Sequence, residues 1–240
     1  MPFEIREVDA KTDFPSIAER LIEAFDDPPQ GGAQVFSAPL GEGGEAARIA
    51  EKATRYAAWH ALDSCSHWYK AVDTDTSEII GGALWNIHSS NPFAHQHDFV
   101  VSWFPDNGSR RFAESFLAQY SAPRAAIGQR PQVYLSIMFT SPKHRRKGVA
   151  QQLLSWGIRK AHEMGVEMFL DASLMGKPLY EANGFVVVEE NHIVPNAETK
   201  DEAWDELEHQ VCPPVILYLM WRPAGGKFEE GKTVLPWKNE

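Results

Sequence analysis

Cysteine is nearly absent: Cys65 and Cys212 are the only two in 240 residues. Neither stands in a CxxC or a Cys/His spacing. A disulfide scaffold and a structural zinc site are therefore disfavoured, and reduced, mostly buried thiols are expected. Positive charge is also short, with 23 Lys and Arg against 33 Asp and Glu and a formal net charge of −10. That balance argues against nucleic acid as a partner, which needs an extended basic surface. It mildly favours a cationic or amine substrate. No apolar run approaches a membrane span, and "MPFEIREVDAKTDF" lacks the apolar core of a secretory signal. The expected location is the cytoplasm, with no membrane partner. Repeats and low-complexity tracts are lacking too. What is present, 43% hydrophobic and 11% aromatic residues, suits a folded chain with a sizeable core.

Periodicity predicts a mixed α/β chain of about seven strands. "FEIREV" (3–8) alternates as a first strand. "DFPSIAERLIEAF" places Ile17, Leu21, Ile22 and Phe25 on one helical stripe, with Asp13 as N-cap and Pro15 in the first turn. Residues 26–44 are rich in Pro and Gly and read as a loop. Residues 45–62 read as a second helix, and 67–73 with 78–87 as a hairpin. Residues 88–132 are long for a connection and read as a functional insertion holding one helix near "RRFAESFLAQY". "QVYLSIMF" (132–139) is a strand and "GVAQQLLSWGIRKAHEMG" (148–165) a helix, with Gly165 at its C-terminal cap. "VEMFLDA", "KPLYEAN" and "GFVVVEE" follow as strand, short helix and strand, a central β-α-β-α-β run. "NAETKDEAWDELEHQ" reads as acidic and exposed, with a helix as an option, and "PVILYLMW" (214–221) as a last buried strand. The expected organisation is one domain over 1–222 and a loosely attached tail over 223–240.

One stretch stands against the acidic background. "SPKHRRKGVAQQLL" (141–154) holds Lys143, His144, Arg145, Arg146 and Lys147, then Gly148, then an amphipathic run. A strand, a glycine turn and a helix start make an anion site by construction. The first amides of a helix lack intrahelical acceptors and carry the positive end of the dipole, so a phosphate can accept several of them at once. Gly148 allows close approach or a left-handed backbone. A basic cluster alone also reads as a solvated patch. The turn is neither a Walker A loop nor GxGxxG, which disfavours ATP hydrolysis and a dinucleotide site.

"RRKGVA" (145–150) resembles the R/Q-x-x-G-x-G/A signature of the GNAT N-acetyltransferase superfamily. Pro142 fits that family's V-x-P-x-x-R lead-in, although Thr140 stands where an aliphatic residue is usual. "PLYEANGF" (178–185) is similar to its lYeklGF segment, at a spacing from Gly148 that fits the intervening helix and strand. The match covers about residues 133–190. It implies a GNAT-like, mostly antiparallel sheet with helices on both faces, and acetyl-CoA as co-substrate without a metal. The amides from Arg146 through Lys147, Gly148, Val149 and Ala150 to Gln151 would hold the pyrophosphate, with Arg145 adding charge. The pantetheine arm would pair with the edge of Met138, Phe139 and Thr140, where two parallel strands splay. An amide near Met138 would polarise the thioester carbonyl. Ser173 stands where many members have Asn. Tyr180 would be the general acid to the CoA thiolate, though an aromatic there also reads as packing.

The general base is not set by any motif. Asp26, Asp27, His88, His95, His97 and Asp98 are candidates, with Glu167 and Asp171 as further options. Each also reads as an ordinary polar side chain. His95 and His97 could pair on a metal, but no third ligand is identifiable. Trp85, Phe93, Trp103 and Phe104 read as pocket wall or, more simply, as core. Direct transfer of acetyl to a small primary amine is the leading expectation. The alternatives are a protein or peptide acetyltransferase and a non-catalytic acyl-CoA sensor. The last strand is apolar enough for a monomer or a homodimer.

Overall fold

The computed structural model describes residues 2–94 and 100–237. Seven strands form one sheet in the order β1-β2-β3-β4-β5-β7-β6. They are β1 (Phe3–Glu7), β2 (Ser66–Asp73), β3 (Ile79–His88), β4 (Gln132–Thr140), β5 (Glu167–Ala172), β6 (Val186–Ile193) and β7 (Val215–Arg222). β4 and β5 are parallel, and the other neighbours are antiparallel. The last strand enters between β5 and β6, so it is central rather than an edge.

Helices cover both faces. α1 (Phe14–Asp26) and α2 (Gly44–Leu62) enclose one core with Trp68, Ile79 and Phe139. α4 (Val149–Met164) packs on the opposite face over Trp85, Val133, Leu135, Met168 and Leu170. Its buried Leu153, Leu154, Gly157 and Ala161 step by one, three and four residues, as one helical face requires. Gly157 lets α4 lie against Trp85: a Cβ there would sit 2.3 Å from the indole. α3 (Gly108–Ile127) and α6 (Glu202–Val211) share a third cluster. Asp201 ties their ends, accepting from the amides of Trp204 (3.0 Å) and Gly108 (2.9 Å).

Asp13 is the N-cap residue of α1, as expected, though its carboxylate makes no cap bond; it accepts from the Asp9 amide at 2.6 Å and from Lys70. Two local readings need correction. The segment read as a plain loop contains a 3₁₀ helix over Gly31–Phe36. The acidic segment 196–210 is not simply exposed: α6 buries Trp204, Leu207 and Val211. Residues 223–237 carry no helix or strand, yet Phe228, Leu235 and Trp237 pack on Phe169, Leu219 and Trp221. Trp237 meets Trp221 edge-on at 5.1 Å between ring centroids.

Candidate active site

The basic turn is built as its residues suggest. Gly148 caps α4 in the left-handed region (φ 87°), and Arg146 is left-handed too (φ 61°). Left-handed residues turn successive amides to one side, which makes an anion-binding concavity. Among the described residues, the amides of 146–151 donate to no protein acceptor. Arg146, Lys147 and Gly148 are exposed, and a Cβ built on Gly148 meets nothing within 4 Å. Arg145 is partly committed, donating to the Ala24 carbonyl of α1 at 2.8 Å. Gln151 makes a reciprocal amide pair with Asn183 (2.8 and 3.0 Å). That pair joins the turn to the segment carrying Tyr180.

The parallel strands separate where a cofactor arm was expected. Pairing of β4 with β5 ends at Leu135↔Leu170. In the β3–β4 ladder, Leu84 faces Ile137 but Trp85 faces Leu135, which leaves Ser136 as an extra, unpaired residue. This is a β-bulge, a device that bends a strand and re-aims its groups. Beyond it, residues 137–140 pair with β3 alone.

A cavity of about 1400 Å³ opens at this separation. Met138, Ser173 and Tyr180 line it, with Ser136, Asp171, Tyr120, Tyr134 and Arg124. Phe139 turns instead into the core under α1 and α2. Tyr180 lies on α5 (Lys177–Glu181), packed edge-on against Phe185 at 5.9 Å. Among the described residues its hydroxyl has no hydrogen-bond partner, and burial raises its pKa. Ser173 Oγ accepts from the Gly176 amide at 3.3 Å, which shapes the turn into α5.

The base candidates separate. Asp26 lines the cavity, and Asp27 is exposed and does not. His88 also stands outside the lining; burial, then Arg124, lowers its pKa. His95, His97 and Asp98 lie outside the described residues. Glu167 is held by Arg130 Nη2 and Trp221 Nε1, each at 2.8 Å. Asp171 differs from all of these. Tyr134 donates to its Oδ2 at 2.9 Å, and Tyr120 stands 2.8 Å behind Tyr134. Its Oδ1 is buried without a partner among the described residues. Burial raises its pKa from 3.8 to about 6, against the opposing pull of Arg124 and the tyrosine hydrogen bonds. Arg124 lies on the Tyr134 ring, 3.6 Å from its centroid. A carboxylate in an apolar strand beside a cavity, with one oxygen unpartnered, is a group suited to accept a proton near neutral pH.

Tyr134, Tyr120 and Arg124 were not foreseen. Their roles come from register and from α3 crossing the cavity, which no local pattern reports. Of the aromatics weighed between wall and core, Trp85, Trp103 and Phe104 are core, and Phe93 faces Arg124. None of the four lines the cavity. Among the described residues no group of three or more His, Cys, Asp or Glu could hold a metal ion, and no helix is long and apolar enough to cross a membrane.

Residues 112–196 match the acetyltransferase (GNAT) domain family. The uncharacterized N-acetyltransferase YafP of Escherichia coli (strain K12) is 30% identical over 99 residues, 39% of this chain and 63% of that protein. The chain therefore spans less than two thirds of that curated relative. The polyamine N-acetyltransferase of Drosophila melanogaster superposes with a TM-score of 0.62 at 11% identity, over 92% of this chain and 100% of that one. A phosphinothricin acetyltransferase from Sinorhizobium meliloti, solved with acetyl-CoA, gives 0.51 at 18% identity, over 96% and 95%. At these identities the structural likeness shows a shared fold.

Proposed function

We propose, from a chain that carries a GNAT acetyltransferase domain at residues 112–196, that the whole protein is an acetyl-CoA-dependent N-acetyltransferase acting on a small primary amine. The observation that carries this reading is the row of six amides, 146–151, without protein acceptors at a helix start. Such a row suits a pyrophosphate. The unpaired edge of β4 suits an amide-bearing arm that adds to a sheet like a strand. The S. meliloti enzyme solved with acetyl-CoA supports the choice of co-substrate, and the D. melanogaster enzyme, named for polyamines, supports a small acceptor. In this reading residues 1–222 form the catalytic domain, and the 88–132 insertion supplies α3 as the wall opposite β4.

The chemistry asks for two proton movements. An alkylamine is mostly protonated at neutral pH, so attack on the thioester needs an acceptor for its proton. Asp171 takes that role, with Tyr134 and Tyr120 fixing the carboxylate and Arg124 beside them. The departing sulfur needs a donor, and Tyr180 offers a hydroxyl that burial keeps protonated. A phenol is a weaker acid than a thiol. Tyr180 therefore shares its proton with the sulfur and releases it fully only as the amine's proton becomes available. A backbone amide near Met138 stabilises the negative charge growing on the carbonyl oxygen.

The test is a calorimetric titration with acetyl-CoA, beside a Gly148→Asp variant. Asp tolerates a left-handed backbone better than most residues, so the fold is retained. A carboxylate in the turn should weaken binding by roughly a hundredfold or more, as an unpaired like charge does in an anion site. A folded wild type that binds no acetyl-CoA, or a variant that binds equally well, refutes the reading.

A further inference from the structure

The wall of the cavity formed by α2 carries one cation without a carboxylate in contact and a second with a single long ion pair. Lys52 is only 2% exposed, yet it lines the cavity. Among the described residues its ammonium has no hydrogen bond and no ion pair; its nearest described partner is the Tyr56 ring, 5.8 Å from Nζ to the centroid. Arg48, one helical turn earlier, lines the same cavity. Its Nη2 reaches Asp26 Oδ2 only at 3.6 Å, and its Nε is buried without a partner. The other charges that reach Lys52 are Arg55 and Glu51, and these two neutralise each other through contacts of 2.7 and 3.1 Å. Burial, then Arg55 and Arg48, lower Lys52 to about 7, against Glu51 and Asp26. A buried amine without an acceptor is costly. An oxyanion placed beside it removes the cost and gains charge-assisted hydrogen bonds.

We propose that the acceptor is an amine that also carries an oxyanion, and that Lys52 and Arg48 receive the oxyanion. Its amine then faces Asp171 and Tyr134 from within the same cavity. The cavity thus holds Lys52 and Arg48 at one place and the Asp171 carboxyl at another, groups matched to the two ends of an amino acid or an aminoalkyl phosphate. This rests on the acetyltransferase reading.

The full chain is tested as wild type, Lys52→Met, Lys52→Arg and Arg48→Met, with folding checked by circular dichroism and acetyl-CoA affinity by calorimetry. Thiol release is then followed with L-amino acids, their carboxamides, the matching alkylamines and aminoalkyl phosphates. An oxyanion-bearing acceptor should be used with a kcat/KM roughly tenfold or more above its uncharged counterpart, the scale of one charge-assisted contact. The carboxylate and phosphate arms show which oxyanion is read. The Met variants should lose the preference through KM, Lys52→Arg should keep much of it, and all should bind acetyl-CoA as the wild type does. The proposal is overturned if uncharged amines serve equally well, or if the variants keep the preference. It also fails if the variants lose acetyl-CoA, if Lys52 itself becomes acetylated, or if no oxyanion-bearing acceptor turns over while acetyl-CoA binds. Failure of the wild type to bind acetyl-CoA would instead sink the acetyltransferase reading.

Discussion

Asp171→Asn separates catalysis from stability in a way few other changes here could. Asn keeps the shape and can still accept from Tyr134, so the 2.9 Å contact survives in kind. It cannot take a proton at neutral pH. General-base removal costs about 10² to 10⁴ in rate, and the loss should appear in kcat. Stability should move the other way. The carboxyl is raised from 3.8 to about 6 by burial. Two units correspond to about 3 kcal/mol. The sign follows from proton binding: between pH 4 and 6 the folded state holds the proton more tightly than the unfolded chain. The stabilisation is complete below about pH 4 and is lost as pH rises through 6. The wild type should therefore lose about 3 kcal/mol across that window from this group, and the Asn variant should not.

The assay is log kcat/KM against pH, beside denaturant unfolding at pH 4.5 and 7.5. If Asp171 removes a proton from a bound ammonium, the wild-type slope is one below pH 6 and flat above. If the free amine attacks first, the slope is two below pH 6 and one above. In either case the Asn variant lacks one unit of slope near pH 6. A variant that retains this limb, or keeps near wild-type kcat, would refute the assignment of Asp171. A variant destabilised at pH 7.5 by more than at pH 4.5 would refute the electrostatic reasoning.

Tyr180→Phe should lower kcat by about 10² and leave acetyl-CoA affinity unchanged, since the ring packs on Phe185 without the hydroxyl; unchanged turnover would remove its acid role. Gly157→Ala drives a Cβ to within 2.3 Å of the buried Trp85 ring and should cost about 1–3 kcal/mol of overpacking, read as a lower unfolding midpoint; an unchanged midpoint would mean that α4 can shift freely. Truncation after Arg222 removes Phe228, Leu235 and Trp237 from the Trp221 and Phe169 cluster. It should lower stability by about 2–4 kcal/mol, measured by urea unfolding, and no change would show that the tail is a passenger.

What could be read from the chain alone is what local pattern encodes. β4, the glycine turn and α4 announce themselves through an apolar strand-like run, one glycine after a basic cluster and a helical stripe. Their order carries the half of the site proposed for the cofactor. The half proposed for the acceptor is assembled from residues whose local sequence is ordinary. "QVYLSIMF" reads as one largely apolar strand, and nothing in it marks Ser136 as a bulge; the bulge exists only relative to β3. Lys52 stands in "EAARIAEKATRYAAWHAL", where alternating charge reads as solvated, and only the tertiary packing buries it. Trp204, Leu207 and Val211 are spaced three and four apart, but acidic neighbours outweigh them on inspection. Asp171 was visible as a charge in an apolar strand. Its partners Tyr134 and Tyr120 come from a neighbouring strand and a crossing helix.

The bulge links these halves. Tyr134 lies before Ser136 on β4, inside the last stretch paired with β5. Asp171 follows Leu170, the last β5 residue of that ladder. Ending the ladder at this point leaves the β4 edge bare and gives the Asp171 side chain a space that no opposing strand residue fills. Tyr134, held in register by the pairs just before, then reaches across to Oδ2. The same interruption therefore opens the groove that the proposed function gives to an acyl arm, and sets a carboxylate with one unpartnered oxygen beside it. A continuous β4–β5 ladder would deny both, because the edge amides would be consumed and an opposing β4 side chain would stand beside the carboxylate. The energetic cost of the buried Asp171 is thus tied to the site's own architecture. Selection for stability alone would have replaced it with an apolar residue.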